Sequence, residues 1–243
     1  MWIDPSHTSA SYQNSTGTTP LSAIGTVADS ANPVGLTLDR RLGATALAHP
    51  GNHLLQATST ARPLASAKGG QTVAGDGTYN AGGYPIYDQF DGIDDGLSTA
   101  TFAAGTLTSS MDCLIAVRRD SATGAVCGLY FGAGIYTGAC ISGGGSPNCG
   151  NVGTPTTWVD GIQLAGGTGV TGGTVYNALT VGPWHILEFR GLNLSAWTVA
   201  KLGDYASYAL NGGFGGIRLF PATNDAIRNL ARTELAAKVG LTL

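Results

Sequence analysis

The stretch Tyr87-Asp88-Gln89-Phe90-Asp91-Gly92-Ile93-Asp94-Asp95-Gly96-Leu97 constrains this chain more than any other. Aspartates and glycines crowd between apolar anchors. Glycine adopts positive φ without steric cost, and aspartate caps the backbone of a tight reversal, so the stretch reads as strand, turn, strand. Phe90, Ile93 and Leu97 are expected to face the core, with the carboxylates pointing out to solvent.

The remaining sequence has the same punctuation. Glycine accounts for 38 of 243 residues, more than twice the usual share of about 7%. Charged residues are 11%, against about 25% in ordinary soluble domains. Apolar residues still make up 43%, enough for a substantial core. A single all-β sandwich commonly reaches this length, so one domain spanning 1–243 is expected. Its surface is neutral, rich in Ser, Thr, Asn and Gly. A free cytosolic enzyme usually carries more charge for solubility, whereas a subunit packed against neighbours needs less. Net charge is −3 and the basic residues are scattered, so no nucleic-acid-binding stripe is expected. No apolar run approaches the ~20 residues of a membrane span. The first residues lack the basic and apolar regions of a signal peptide, so assembly in the cytoplasm is expected.

Three regions divide the chain. Residues 1–83 read as a wrapping arm with the first strands, including Val34–Asp39 and Asn52–Ala57. Residues 66–83 read as a Gly-rich, polar long loop or edge excursion. Residues 84–221 carry strands at sandwich spacing. Met111–Val117 is apolar on both faces and should be a central, doubly covered strand. Val126–Tyr136 reads as a strand with bends, and Trp158–Leu164 as a hairpin turning at Asp160-Gly161. Gly166–Gly173 reads as a loop. Trp184–Arg190 alternates with His185, Leu187 and Phe189 on one face, and Phe214–Phe220 is a late strand. Residues 222–243 hold the one helix. Asn224 caps it, Asp225 favours its first turn, and Gly240 ends it. Ile227, Leu230, Ala231, Leu235 and Val239 form its expected apolar face, with Glu234 and Lys238 an i,i+4 pair.

The residues 90–97 resemble the F-D-G-x-D-D-x-L signature of laminin-G/concanavalin A-like jelly-roll domains. Three further pieces look like the subgroup encoded in structural-gene clusters of tailed bacteriophages. They are Trp2–Pro20 with Pro33–Asp39; Gly51–Pro63; and Glu188-Phe189-Arg190-Gly191 with Arg218–Pro221 leading into the helix. The resemblance implies an antiparallel two-sheet jelly-roll sandwich with one C-terminal α-helix. It also implies a non-enzymatic virion protein, a capsid decoration or tail-associated subunit assembled in the host cytoplasm. Its partners would be other virion proteins and further copies of itself, as a homo-oligomer. A carbohydrate-binding adhesion module for bacterial surface glycans is the alternative. Residues 127–157 match nothing in the resemblance.

Asp88, Asp91, Asp94 and Asp95 are candidate calcium ligands, since hard cations want six to eight oxygens. The competing reading is that Asp91 and Asp94 hold turn amides while the others are solvated. Tyr130, Tyr136 and Trp158 are candidate sugar-stacking rings, with Asn148 and Asn151 for hydroxyls; as plain core aromatics they need no ligand. Catalysis is not expected. Glucanases of this superfamily use E-x-D-x-x-E on one strand, but this chain has only Glu188 and Glu234. Glu188 has no acid two residues away, and glycoside hydrolysis needs two carboxyls roughly 5–9 Å apart. No G-x-S-x-G elbow accompanies a histidine. His49 and His53 are separated by Pro50 and Gly51, which break any helix that would align them. Gly166–Gly169 lacks the lysine and helix of a phosphate loop. Cys113, Cys127, Cys140 and Cys149 form no C-x-x-C pair, so structural zinc is not expected. They read as packed free thiols, although a Cys140–Cys149 disulfide could staple the loop between them.

Overall fold

Short runs of alternating residues between glycines form strands here, and the strands pair into two antiparallel sheets. The computed structural model describes residues 2–3, 11–12, 34, 36–37, 54–58, 62–67, 86–91, 93–99, 101–102, 105–121, 129–131, 153–168, 172–203 and 210–243. In chain order the strands are β1 (Trp2–Ile3), β2 (Ser11–Tyr12), β3 (Leu36–Thr37), β4 (Leu54–Leu55), β5 (Leu64–Ala67), β6 (Ile86–Asp91) and β7 (Gly96–Thr99). They continue with β8 (Met111–Arg119), β9 (Leu129–Phe131), β10 (Thr156–Val159), β11 (Ile162–Thr168), β12 (Trp184–Leu192), β13 (Ala200–Gly203) and β14 (Asn211–Pro221). The helices are α1 (Gly172–Ala178) and α2 (Asp225–Lys238). Neither is long and apolar enough to cross a membrane.

The larger sheet runs β11-β10-β12-β8-β14-β6-β5, with β1 also on β14; the smaller runs β2-β3-β4-β7-β13-β9. Strands from the first 83 residues therefore enter both sheets. As its two-sided apolarity predicts, β8 is central, flanked by β12 and β14. Cys113, Ile115 and Val117 point into a core shared with Leu54, Leu97, Ala200 and Leu202 of the smaller sheet. Leu114 and Ala116 point the other way, into a second cluster with Trp184, Ile186 and the α2 residues Ala231, Leu235 and Val239. Between β10 and β11, Asp160 (φ 51°) and Gly161 (φ 81°) both take positive φ, as a two-residue hairpin turn of the primed kind requires.

Asn224 caps α2, its side chain accepting the Ile227 N–H at 3.1 Å. At the other end the Gly240 N–H reaches the Ala237 carbonyl and the Leu241 N–H the Ala236 carbonyl. With Gly240 at φ 70° this is a Schellman closure. The helix lies close on the sheet because β14 is glycine there. A Cβ at Gly215 would run into Val239 and Ala116, and one at Gly213 into Trp184 and Tyr87.

Four expectations are corrected. Ile93 is 73% exposed, because it sits at the tip of the crossing from β6 to β7. Asp88 and Asp95 are buried rather than solvent-facing. The expected loop at 166–173 begins inside β11, which runs to Thr168, and ends inside a second helix, α1, at 172–178, which carries Val175 and Tyr176 into the core. Ile227 and Leu230 of α2 are exposed, while Glu234 pairs with Arg218 at 2.9 Å. Ala231, Leu235 and Val239 of the expected face do pack on the sheet, and the contact arc extends from them to Arg228 and Arg232, which meet carboxylates on the sheet's outward face.

Candidate functional site

The aspartate turn carries the chain from β6 in the larger sheet to β7 in the smaller one. Asp91 Oδ1 accepts the Ile93 N–H at 2.7 Å. Asp95 Oδ2 accepts the Asp91 N–H at 2.8 Å. These bonds leave carboxylate oxygens of Asp91, Asp94 and Asp95 within 4.8 Å of one another. Burial raises the Asp95 carboxyl to about 7; the Asp91 amide opposes the shift, and the charges of Asp91 and Asp94 add to it. Three carboxylates at this spacing are a partial shell for a hard cation, which wants six to eight oxygens.

Asp88 is not part of that group. Strand alternation puts it on the same side of β6 as Phe90, against the core between the sheets, while Tyr87 packs towards α2. Asp88 is 1% exposed, its Oδ2 has no hydrogen-bond partner, and burial pushes its carboxyl up to about 8. It is held as a neutral acid near pH 7.

Of the candidate sugar-stacking rings, Trp158 and Tyr130 fall on different sheets. Trp158 lies half-buried on the outward face of β10, with the Arg190 guanidinium 4.1 Å over its ring. Tyr130 sits in β9 of the other sheet, paired with Lys201. Tyr136, Asn148 and Asn151 lie outside the described residues, as do His49, His53, Cys127, Cys140 and Cys149. Cys113 is free and buried, and burial raises its thiol well above the usual range, which makes it inert. A shallow groove of about 110 Å³ lies along Gln56, Gly96, Ser98 and Lys201 of the smaller sheet. It is smaller than the ~300 Å³ at which ordinary ligand pockets begin.

Two features were not anticipated. The first is a layer of charge between the larger sheet and α2. Asp112 and Glu188 are both essentially buried on the sheet's outward face. Glu188 receives Arg190 at 2.6 Å and Arg232 at 3.2 Å. Asp112 receives Arg228 at 2.9 Å together with the Gly191 and Thr223 amides. The available signal was Arg228 and Arg232 at i,i+4 on the helix, matched by carboxylates at outward positions of two otherwise apolar strands.

The second is His185. Its Nδ1 lies 2.6 Å from Asp160 Oδ2, and its Nε2 accepts the Thr180 amide at 3.1 Å, with Thr180 Oγ1 at 3.0 Å. Because Nε2 accepts an N–H, the proton of the neutral ring resides on Nδ1 and is donated to Asp160. The order Thr-His-Asp imitates a hydrolytic triad, but the lone pair a base would use is occupied by the amide. The arrangement binds the β10–β11 hairpin tip, the exit of α1 and the start of β12 to one another.

No protein-family model, curated protein or solved structure matches this chain.

Proposed function

We propose that this chain is a non-enzymatic virion protein of a tailed phage, a concanavalin A-like jelly-roll sandwich present in repeated copies on the capsid or tail. The observation that carries the reading is the position of the aspartate stretch. The residues that resemble the jelly-roll signature fall where the chain crosses from one sheet to the other. A non-catalytic role is favoured by the state of the two glutamates. Glu188 is buried with Arg190 and Arg232, and Glu234 is paired with Arg218, so the two glutamates are engaged in separate ion pairs within the fold rather than set together as the carboxyl pair that glycoside cleavage uses. Low charge suits a subunit whose surface is covered, since few ions lose hydration when a neighbour docks.

The test is co-sedimentation of the purified protein with phage particles or empty capsids, with light scattering of the protein alone. Retention on particles and no turnover of cell-wall or capsular polysaccharide are expected. A strictly monomeric protein that never co-sediments, yet cleaves or binds a glycan, would overturn the reading in favour of the adhesion module or a glycosidase.

A further inference from the structure

The two ring nitrogens of His185 hold different elements. Nδ1 gives its proton to Asp160 Oδ2 at 2.6 Å, in the turn between β10 and β11. Nε2 accepts the Thr180 amide at 3.1 Å, in the link from α1 to β12. The histidine is 8% exposed, whereas residues 180–183 of the link are all exposed. The Thr180 hydroxyl also lies 3.0 Å from Nε2. One residue therefore brings two groups to one nitrogen, an amide that can only donate and a hydroxyl that donates or accepts.

The charged groups on the surrounding elements leave that nitrogen to Thr180. Arg119, at the end of β8, lies over the Tyr176 ring at 4.0 Å and donates to the Tyr176 carbonyl of α1. Arg232 of α2 lies against Gly161 and reaches Glu188. Alternation along β12 sets His185 with Leu187 and Phe189, on the side away from Glu188. Arg118 is on that far side too, over the rings of Tyr87 and Trp184. Among the described residues, Asp160 is the one charged group paired with the imidazole.

Histidine is the side chain whose charge ordinarily changes between about pH 5 and 8. A proton taken from water onto Nε2 turns that atom from an acceptor into a donor, and two N–H groups then face each other. The Thr180 amide has to turn away, towards the water that its exposed position offers. The hydroxyl has only to rotate to accept the new N–H, and the Asp160 carboxylate keeps Nδ1. We propose that His185 is a pH-sensitive latch with two positions. Neutral, it holds the link by the Thr180 amide; protonated, it takes the Thr180 hydroxyl instead and releases that amide. The core is not part of the movement, because Val175, Tyr176 and Leu179 anchor α1 and the Gly182 N–H is bonded to the Arg119 carbonyl at 2.8 Å. The latch is a property of the fold and is independent of the virion assignment.

An NMR titration of the full chain from about pH 8 to about pH 5 tests the latch. Nitrogen shifts of the His185 ring read its protonation, and hydrogen exchange, corrected for the intrinsic effect of pH, reads each amide. As the ring protonates, the Thr180 amide is expected to lose protection by roughly tenfold or more. The Ile186 amide, bonded to Asp160 Oδ1 at 2.8 Å, should keep its own. Thr180→Val, at an exposed position, removes the hydroxyl and keeps the amide. Its ring should protonate at a lower pH than the wild-type ring, because the charged form has lost an acceptor. Thr180→Ser should titrate as wild type does. Thr180 protection that survives protonation of the ring overturns the latch. So does an equal loss at Ile186, which would mean that the whole hairpin opens, or a Thr180→Val ring that titrates as wild type.

Discussion

Asp88 is the residue at which the chain's chemistry departs furthest from its surroundings. An aspartate between two sheets, next to Phe90 and with Oδ2 unpartnered, keeps its proton up to about pH 8 in the fold. In the unfolded chain it releases the proton near ~4. Its contribution is thus most favourable below pH 4, where both states are protonated, and is lost as pH rises towards 8. At about 1.4 kcal/mol per pKa unit, the loss across that window is on the order of a few kcal/mol. Asp88→Asn, neutral at every pH, should melt several degrees above wild type at pH 8 and close to it at pH 4. Equal pH dependence in the two proteins would contradict this account. The sequence could not reveal this residue's role, because Asp88 shares a short segment with Asp91 and Asp95, whose carboxylates do serve the turn. Only the crossing between sheets separates them, and alternation on β6 then decides which faces inward. Asp91 was legible from Asp-x-Ile spacing alone, since its side chain reaches the amide two residues on.

At the scale of elements, β14 and α2 form one unit. Gly215 lies beneath Val239 and beside Ala116 and Trp184, with no room for a methyl group. Gly215→Ala forces the C-terminal turn of the helix away from the sheet, and overpacking of this kind costs about 1–3 kcal/mol. A drop in melting temperature with loss of near-UV signal from Trp184 is expected; unchanged stability would mean that the helix does not sit where it is described. The helix itself was readable from Asn224, Asp225 and Gly240, because caps are local chemistry. Its buried arc was legible in part. Apolar periodicity pointed correctly to Ala231, Leu235 and Val239 but also to Ile227 and Leu230, which are exposed; Asp112 and Glu188 on the sheet required Arg228 and Arg232, and an unpaired buried carboxylate costs more than two exposed aliphatic side chains. The hairpin at Asp160-Gly161 was legible for the same reason as the caps, whereas the His185 link to Asp160 joins residues 25 apart and leaves no trace in local pattern.

Over the whole molecule, the strands β8, β12 and β14 serve two hydrophobic clusters at once, one on each face of the larger sheet. Neither cluster can dissolve without uncovering the other, so unfolding should be a single cooperative event. Far-UV circular dichroism and tryptophan fluorescence should give coincident transitions, Trp184 reporting the α2 side and Trp197 the inter-sheet side. An earlier, separate transition would mean that α2 is an independent appendage. All-β character and the central place of β8 were visible in composition and alternation, since both follow from local residue preferences. Sheet order was not, because strands distant in sequence pair through contacts that no short window encodes. That order also bears on how the chain is born. During synthesis β8 leaves the ribosome with both flanking positions vacant, and β12 and then β14 arrive much later to fill them. Asp112 waits longer still, until Arg228 emerges on α2. The nascent chain therefore carries an open apolar strand from the emergence of Arg119 until that of Pro221, and the larger sheet closes only after its last strand is free of the exit tunnel.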